Sequence, residues 1–266
     1  MSPARAATDP GVLSRARGLR SQARYIATRL VIGAVARGYV RLRVHGKKGL
    51  PREPYLLCFN HQSWTDPLLL LAVLPWRTRV FFFGPKEEDM DHGWRNRLIR
   101  WTGTSVPYRP AKDDLLGATR RVQAVFDAGN MLAIAGEGRI HAGEGALLPL
   151  SEGAAFFALR SSVPIVPCAI NGTSWLCFGR TVRVRFGRPI TAEARPTQAA
   201  VQALTGRLWT ELHDLCQGYP DPPPPGRFGR WFTDVFNEWP EDTRPAPPGH
   251  PEARRRPPAE RPDEAR

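Results

Sequence analysis

The chain carries only four cysteines in 266 residues. Cys58, Cys168, Cys177 and Cys216 lie far apart and form no C-x-x-C pair, which excludes a disulfide framework and a cysteine-rich zinc site. Cys58 and Cys168 fall inside apolar, strand-like runs and read as small core residues, so a reducing compartment fits. No run of about 18 apolar residues occurs, so no membrane-spanning helix is predicted. The nearest candidate, Tyr25 to Val44, is interrupted by Arg29, Arg37, Arg41 and Arg43. The first twenty residues hold arginines but no apolar run, and no secretory leader is expected. A G-x-S-x-G elbow is missing, which disfavours an acyl-serine hydrolase. Gly143-Glu144-Gly145 completes no dinucleotide fingerprint, no Walker A loop exists, and no metal or resident cofactor is implied.

Lysine is nearly absent as well: of 38 basic residues only Lys47, Lys48, Lys86 and Lys112 are lysines. Against 25 acidic residues the net charge is +13, and the excess is unevenly placed. Residues 1–48 hold 11 basic and 1 acidic side chain, whereas residues 219–266 hold 8 and 9. The body is nearly balanced, which argues against a nucleic-acid-binding surface and for an N-terminal arm aimed at an anionic surface.

Residues 1–20 read as a flexible basic leader. Residues 21–48 hold a predicted amphipathic helix, over 21–44, on which Tyr25, Leu30, Val31, Ala34, Val35 and Tyr39 alternate with arginines. Such a helix can lie at a membrane surface or pack on a core with its arginines outward. Over 49–218 short apolar runs alternate with helical patterns, predicting an α/β domain. Strands are expected at Tyr55–Phe59, Arg79–Phe83, Met131–Ala135, Val163–Ile170 and Thr181–Phe186. Helices are expected after Asp66-Pro67, with Asp66 as N-cap, and over Trp94–Trp101, Asp113–Ala128, Glu152–Arg160 and Thr197–Cys216. Residues 219–266 hold 13 of the 27 prolines. Within 219–239, a Pro-rich linker leads to a helix whose apolar stripe (Phe228, Trp231, Phe232, Val235, Phe236, Trp239) is expected to dock onto the domain. Residues 240–266 read as a disordered tail.

The chemistry concentrates in Asn60-His61-Gln62-Ser63-Trp64-Thr65-Asp66, a polar turn between a strand and a helix. A neutral imidazole is a general base suited to pH 7, and a carboxylate on its other nitrogen fixes tautomer and orientation. The spacing alone is weak, because six histidines and 12 aspartates give about 0.27 such pairs by chance. Three further blocks follow in order: Gly103-Thr-Ser-Val-Pro-Tyr-Arg109, Ala135-Gly136-Glu137-Gly138-Arg139 and Val163-Pro-Ile-Val-Pro167. Together with the first they resemble the four signatures of the PlsC-like glycerolipid acyltransferases (1-acylglycerol-3-phosphate acyltransferase-like), and Lys86 falls where that family often has a lysine. Ala135-Gly136 departs from the usual Phe-Pro, and the second block lacks the usual acidic residue before its arginine.

The resemblance implies a mostly parallel central sheet flanked by helices, of the glycerol-3-phosphate acyltransferase-like kind, with the amphipathic helix in front. It implies transfer of a fatty acyl group from an acyl-CoA or acyl-carrier-protein thioester to a glycerophospholipid precursor, foremost 1-acylglycerol-3-phosphate. His61 would be the base and Asp66 its support, with Ser63 a hydrogen-bonding residue rather than a nucleophile. Lys86, Arg109 and Arg139 would hold an acceptor phosphate, Glu137 would orient Arg139 or bind an acceptor hydroxyl, and Gly138 would permit close backbone approach. The expected partners are the lysophospholipid, the thioester donor, acyl-carrier protein and an anionic membrane surface. The expected location is peripheral, on the cytoplasmic face of the cell membrane. Other readings are glycerol-3-phosphate, another lysophospholipid or an amino-acid lipid as acceptor, a thioesterase, and a non-catalytic basic membrane adaptor.

Overall fold

A computed structural model describes residues 18–52, 54–77, 79–86, 97–98, 101–108, 115–140, 144–219 and 225–237, without the side chains of Pro85, Lys86 and Phe236. The chain runs α1 (Leu19–Tyr39), β1 (Arg41–His45), β2 (Leu56–Phe59), α2 (Asp66–Val73), β3 (Val80–Lys86), β4 (Ser105–Tyr108) and α3 (Leu115–Asp127). It continues with β5 (Met131–Ala135), α4 (Gly153–Ser161), β6 (Ile165–Asn171), β7 (Thr181–Phe186), α5 (Gln198–Cys216) and α6 (Gly226–Asn237). The strands form a seven-stranded sheet in the order β1-β7-β6-β2-β5-β3-β4. Only the β6/β7 pairing is antiparallel, so β6, β2, β5, β3 and β4 all point one way.

The sheet is buried on both faces, which is why its central strands are unbroken apolar runs. Successive residues feed opposite cores. Leu56, Cys58, Phe81, Leu132 and Ile134 pack with Val122 and Val125 of α3, Ala155 of α4 and Leu204 of α5. Leu57, Phe59, Val80, Phe82, Met131 and Ala133 pack with Leu70 of α2 and Tyr25 of α1. At one rim of the sheet β1 reads Arg-Leu-Arg-Val-His, with both arginines exposed, and a charged edge resists pairing with another chain.

The N-terminal helix differs from the sequence expectation. It stops at Tyr39, and residues 41–45 form β1 instead, because their period of two matches β7, with which they pair. The sheet therefore begins at Arg41, ahead of the expected domain boundary at 49. Of the two arrangements open to the helix, packing its apolar stripe on the core holds in full only for Tyr25. Ser21, Tyr25, Thr28, Arg29, Gly33 and Ala36 point inward, while Leu30, Val31 and Val35 are about 60% exposed. Arg29 anchors the inward face: its guanidinium donates to the carbonyl oxygens of Leu74 and Pro75, just past the C-terminal end of α2, and lies 4.0 Å over the Trp76 ring.

The apolar stripe near the C-terminus is likewise split rather than docked as a whole. Gly229, Thr233 and Asn237, one per turn of α6, are buried, and Phe232 packs on Tyr39 at 5.4 Å. Phe228, Trp231 and Val235 face solvent. Trp239, the Trp94–Trp101 helix apart from 97–98 and 101, and the expected leader (1–17) and tail (240–266) lie outside the described residues.

Candidate active site

The parallel set brings three of the four sequence blocks to one edge of the sheet. The His61 turn leaves the C-terminal end of β2, and the Glu137 turn leaves β5, its neighbour. Lys86 ends β3, next to β5, and Tyr108 ends β4, next to β3. Crevices beyond the carboxyl ends of parallel strands are where open α/β sheets bind ligands. The fourth block ends in β6 itself, on the other side of β2, so Ile165 to Cys168 are structural.

His61 and Asp66 meet across the turn, with Nδ1 to Oδ2 at 2.9 Å. Asp66 is fully buried, the His61 side chain about 16% exposed. Asp66 is not the N-cap; that position falls to Thr65, and Asp66 sits in the first turn of α2, where the helix dipole favours negative charge. Its Oδ2 also accepts the main-chain N–H groups of Gln62 (2.8 Å) and Ser63 (2.9 Å). A carboxylate with three donors around one oxygen holds the imidazole with its proton on Nδ1. Nε2, without a partner among the described residues, is then the nitrogen able to accept a proton.

The turn is fastened on all sides. Asn60 is bonded to both main-chain groups of Ile170: its Oδ1 accepts the N–H at 2.7 Å and its Nδ2 donates to the carbonyl at 2.9 Å. Glu137 accepts the His61 N–H at 2.7 Å with Oε2 and the Leu148 N–H at 2.8 Å with Oε1. Ser63 is 1% exposed, and its hydroxyl donates to Asn237 (2.8 Å) while accepting from Thr65. That arrangement makes it a hydrogen-bonding residue and leaves it no exposed oxygen for attack.

Arg139 is exposed on the turn after β5. Gly138 is exposed with φ +67°, a backbone conformation that favours glycine, and a Cβ there would meet no protein atom within 4 Å. Gly136 is the close-packed one: a Cβ would lie 2.8 Å from both Cys58 Sγ and Leu150 Cδ2. Its N–H also donates to the Phe59 carbonyl oxygen at 2.9 Å, a bond that proline, lacking the N–H, could not make. Arg109 and the Lys86 side chain lie outside the described residues. Sequence reasoning missed Asn237, which no local signal marks, and Asn60, whose partner is 110 residues away.

Burial pushes the thiol pKa of Cys58 upward, with Glu137 adding to the effect, and raises that of Cys168 as well. Among the described residues no three His, Cys, Asp or Glu side chains cluster as metal ligands would.

The site pairs a partly exposed histidine with a buried carboxylate at the carboxyl edge of an α/β sheet. The acyltransferase family model matches residues 41–171, and together with the two likenesses that follow it supports a place in the PlsC-like acyltransferase family. The 1-acyl-sn-glycerol-3-phosphate acyltransferase of Saccharomyces cerevisiae is 27% identical over 161 residues, which are 57% of this chain and 52% of that protein. The chain thus aligns with about half the length of that relative. The crystal structure of PlsC, the 1-acyl-sn-glycerophosphate (LPA) acyltransferase of Thermotoga maritima, shares the fold with a TM-score of 0.57 at 19% identity. That match covers 79% of this chain and 89% of the other.

Proposed function

We propose that the chain moves a fatty acyl group from an acyl-CoA or acyl-carrier-protein thioester to the free hydroxyl of 1-acylglycerol-3-phosphate, giving phosphatidic acid. The observation that carries this reading is the His61–Asp66 bond of 2.9 Å at the carboxyl edge of the sheet, in a chain that the acyltransferase family model matches. His61 Nε2 takes the acceptor's hydroxyl proton as the oxygen attacks the thioester carbonyl. The tetrahedral adduct then expels the thiolate, which receives that proton from the imidazolium. Ester and free thiol are the products, and no acyl-enzyme is required. A general base in such a step typically contributes about 10²–10⁴-fold. Arg139, Arg109 and Lys86 are the cations assigned to the acceptor phosphate, Arg being suited to its paired oxygens. The name of the yeast relative supports the choice of acceptor.

We assign the chain to the membrane surface, on the cytoplasmic face, where a bilayer-resident acceptor meets a water-soluble donor. No described helix is long and apolar enough to cross a membrane. Supporting a surface position, Val31 and Val35 lead along α1 to Tyr39, whose ring lies 6.0 Å from Phe178 and 5.4 Å from Phe232. Phe228 and Trp231 continue the band. Five of these side chains (Val31, Val35, Phe178, Phe228 and Trp231) are exposed, with exposed Arg37, Arg227 and Arg230 close by in sequence, a composition suited to an anionic interface.

Thiol release from a long-chain acyl-CoA, with and without 1-acylglycerol-3-phosphate, tests the reaction. Acceptor-dependent release abolished by His61→Ala is expected. Acceptor-independent release would mean a thioesterase. Silence with every acceptor and both donors would leave a basic membrane adaptor. Co-sedimentation with anionic vesicles, weakened by Trp231→Ala, tests the location.

A further inference from the structure

The turn that carries His61 has a complete set of main-chain donors to satisfy, and their partners identify what holds it. The N–H groups of Gln62 and Ser63 go to Asp66, that of Thr65 to the Ser63 hydroxyl, and that of Asp66 to the Ser63 carbonyl. These four are internal to the turn. Among the described residues, the main-chain donors that leave the turn go to Glu137, at the His61 N–H, and to Asn237, at the Trp64 N–H (3.1 Å). Asn237 Oδ1 also accepts a hydrogen bond from the Ser63 hydroxyl, at 2.8 Å. It is the final residue of α6, 7% exposed, and its helix is seated through Gly229, where a Cβ would lie 2.9 Å from the Leu176 carbonyl oxygen.

We propose that Asn237 is a positioning residue for the reaction, holding the Ser63–Trp64 side of the turn so that Asp66 and His61 stay in register. The C-terminal helix thereby forms part of the catalytic apparatus. Ser63 links Asp66 to Asn237, since its N–H is held by the one and its hydroxyl by the other. A turn released on that side can shift the imidazole, and displacement of a reacting group by about 1 Å can cost on the order of 10²-fold in rate. The inference rests on His61 being the base.

The test compares Asn237→Ala and Asn237→Asp with wild type and His61→Ala in the full chain. Both bonds to Asn237 need only an acceptor oxygen, which aspartate keeps and alanine lacks. Asn237→Ala is expected to lower kcat by about 10²-fold with KM for donor and acceptor little changed. Asn237→Asp is expected to recover most of that loss and to move the acid limb of the pH profile upward, because an added carboxylate favours the imidazolium. Wild-type kcat in Asn237→Ala would overturn the proposal. So would equal losses in both variants with an unshifted pH profile, the mark of a merely structural role. Imidazole ¹⁵N shifts of His61, assigned by their absence in His61→Ala, give a readout independent of turnover. Asn237→Ala should reduce the Nδ1–H tautomer and Asn237→Asp retain it, whereas unchanged shifts in Asn237→Ala would overturn the proposal even if His61→Ala proved fully active and the base assignment fell.

Discussion

Glu137 holds His61 by its backbone: the carboxylate accepts the His61 main-chain N–H at 2.7 Å across 76 residues of sequence. Its other oxygen ties in Leu148, so one side chain joins the turn after β2 to the segment that follows β5. Glu137→Ala would strip acceptors from two main-chain donors, at about 1–3 kcal/mol each. We expect a lower urea midpoint together with a fall in kcat of about 10- to 100-fold. Glu137→Gln, which keeps one acceptor oxygen, should show a smaller change in both measurements.

Asp66→Asn puts an amide where one oxygen collects three donors. The amide oxygen can still meet these donors, but the negative charge that supports the imidazolium is gone, and an NH2 group replaces the buried Oδ1. Loss of about 10³–10⁴-fold in kcat is expected, the size of this change in a comparable His–Asp pair. Steady-state thiol release at saturating donor and acceptor measures it, and a loss below tenfold would contradict the assigned role of Asp66.

Glu144 is predicted to matter for stability and not for chemistry. Its buried carboxylate accepts from Gly172 N–H, the Ser174 hydroxyl (2.5 Å) and Arg180 Nη2 (3.2 Å), closing the connection between β6 and β7. Glu144→Ala leaves the Arg180 guanidinium buried without its counter-charge, and breaking such a pair costs about 3–5 kcal/mol. Denaturant unfolding should show that loss, while the protein that remains folded keeps wild-type KM values.

The four thiols should react unequally. Burial pushes Cys216 up to about 12 and raises Cys58 and Cys168, so at pH 8 these three are almost wholly protonated as well as shielded. Cys177 is the one that is partly exposed. An aromatic disulfide reagent at pH 8 should titrate one thiol rapidly in native protein and four in denaturant.

Much of this was legible beforehand, for local reasons. The runs at Leu56–Phe59 and Met131–Ala135 could be read as buried strands because both of their faces are apolar. The His61–Asp66 pair was readable because both residues lie in one turn. What escaped depends on distant partners. Arg29 looked like part of an exposed basic face, because nothing near it in sequence announces the carbonyls of Leu74 and Pro75. Phe228 and Trp231 looked like a docking stripe, although the seat α6 uses is the smaller row of Gly229, Thr233 and Asn237. Glu137 was assigned by resemblance to Arg139 or an acceptor hydroxyl; its bond to a backbone group carries no residue pattern that sequence could display.

The Ser63–Asn237 bond also sets an order of events during synthesis. Ser63 leaves the ribosome 174 residues before its partner. Every strand of the sheet is translated before the last support of the histidine turn exists. A chain cut short in the Pro-rich run near 220–225 would contain all seven strands, β1 to β7, with the Trp64 N–H deprived of Asn237. Nascent or clipped molecules of this kind can carry the sheet and both residues of the His61–Asp66 pair while that turn still lacks its Asn237 clasp, so the turn is fastened on this side only after α6 has been made.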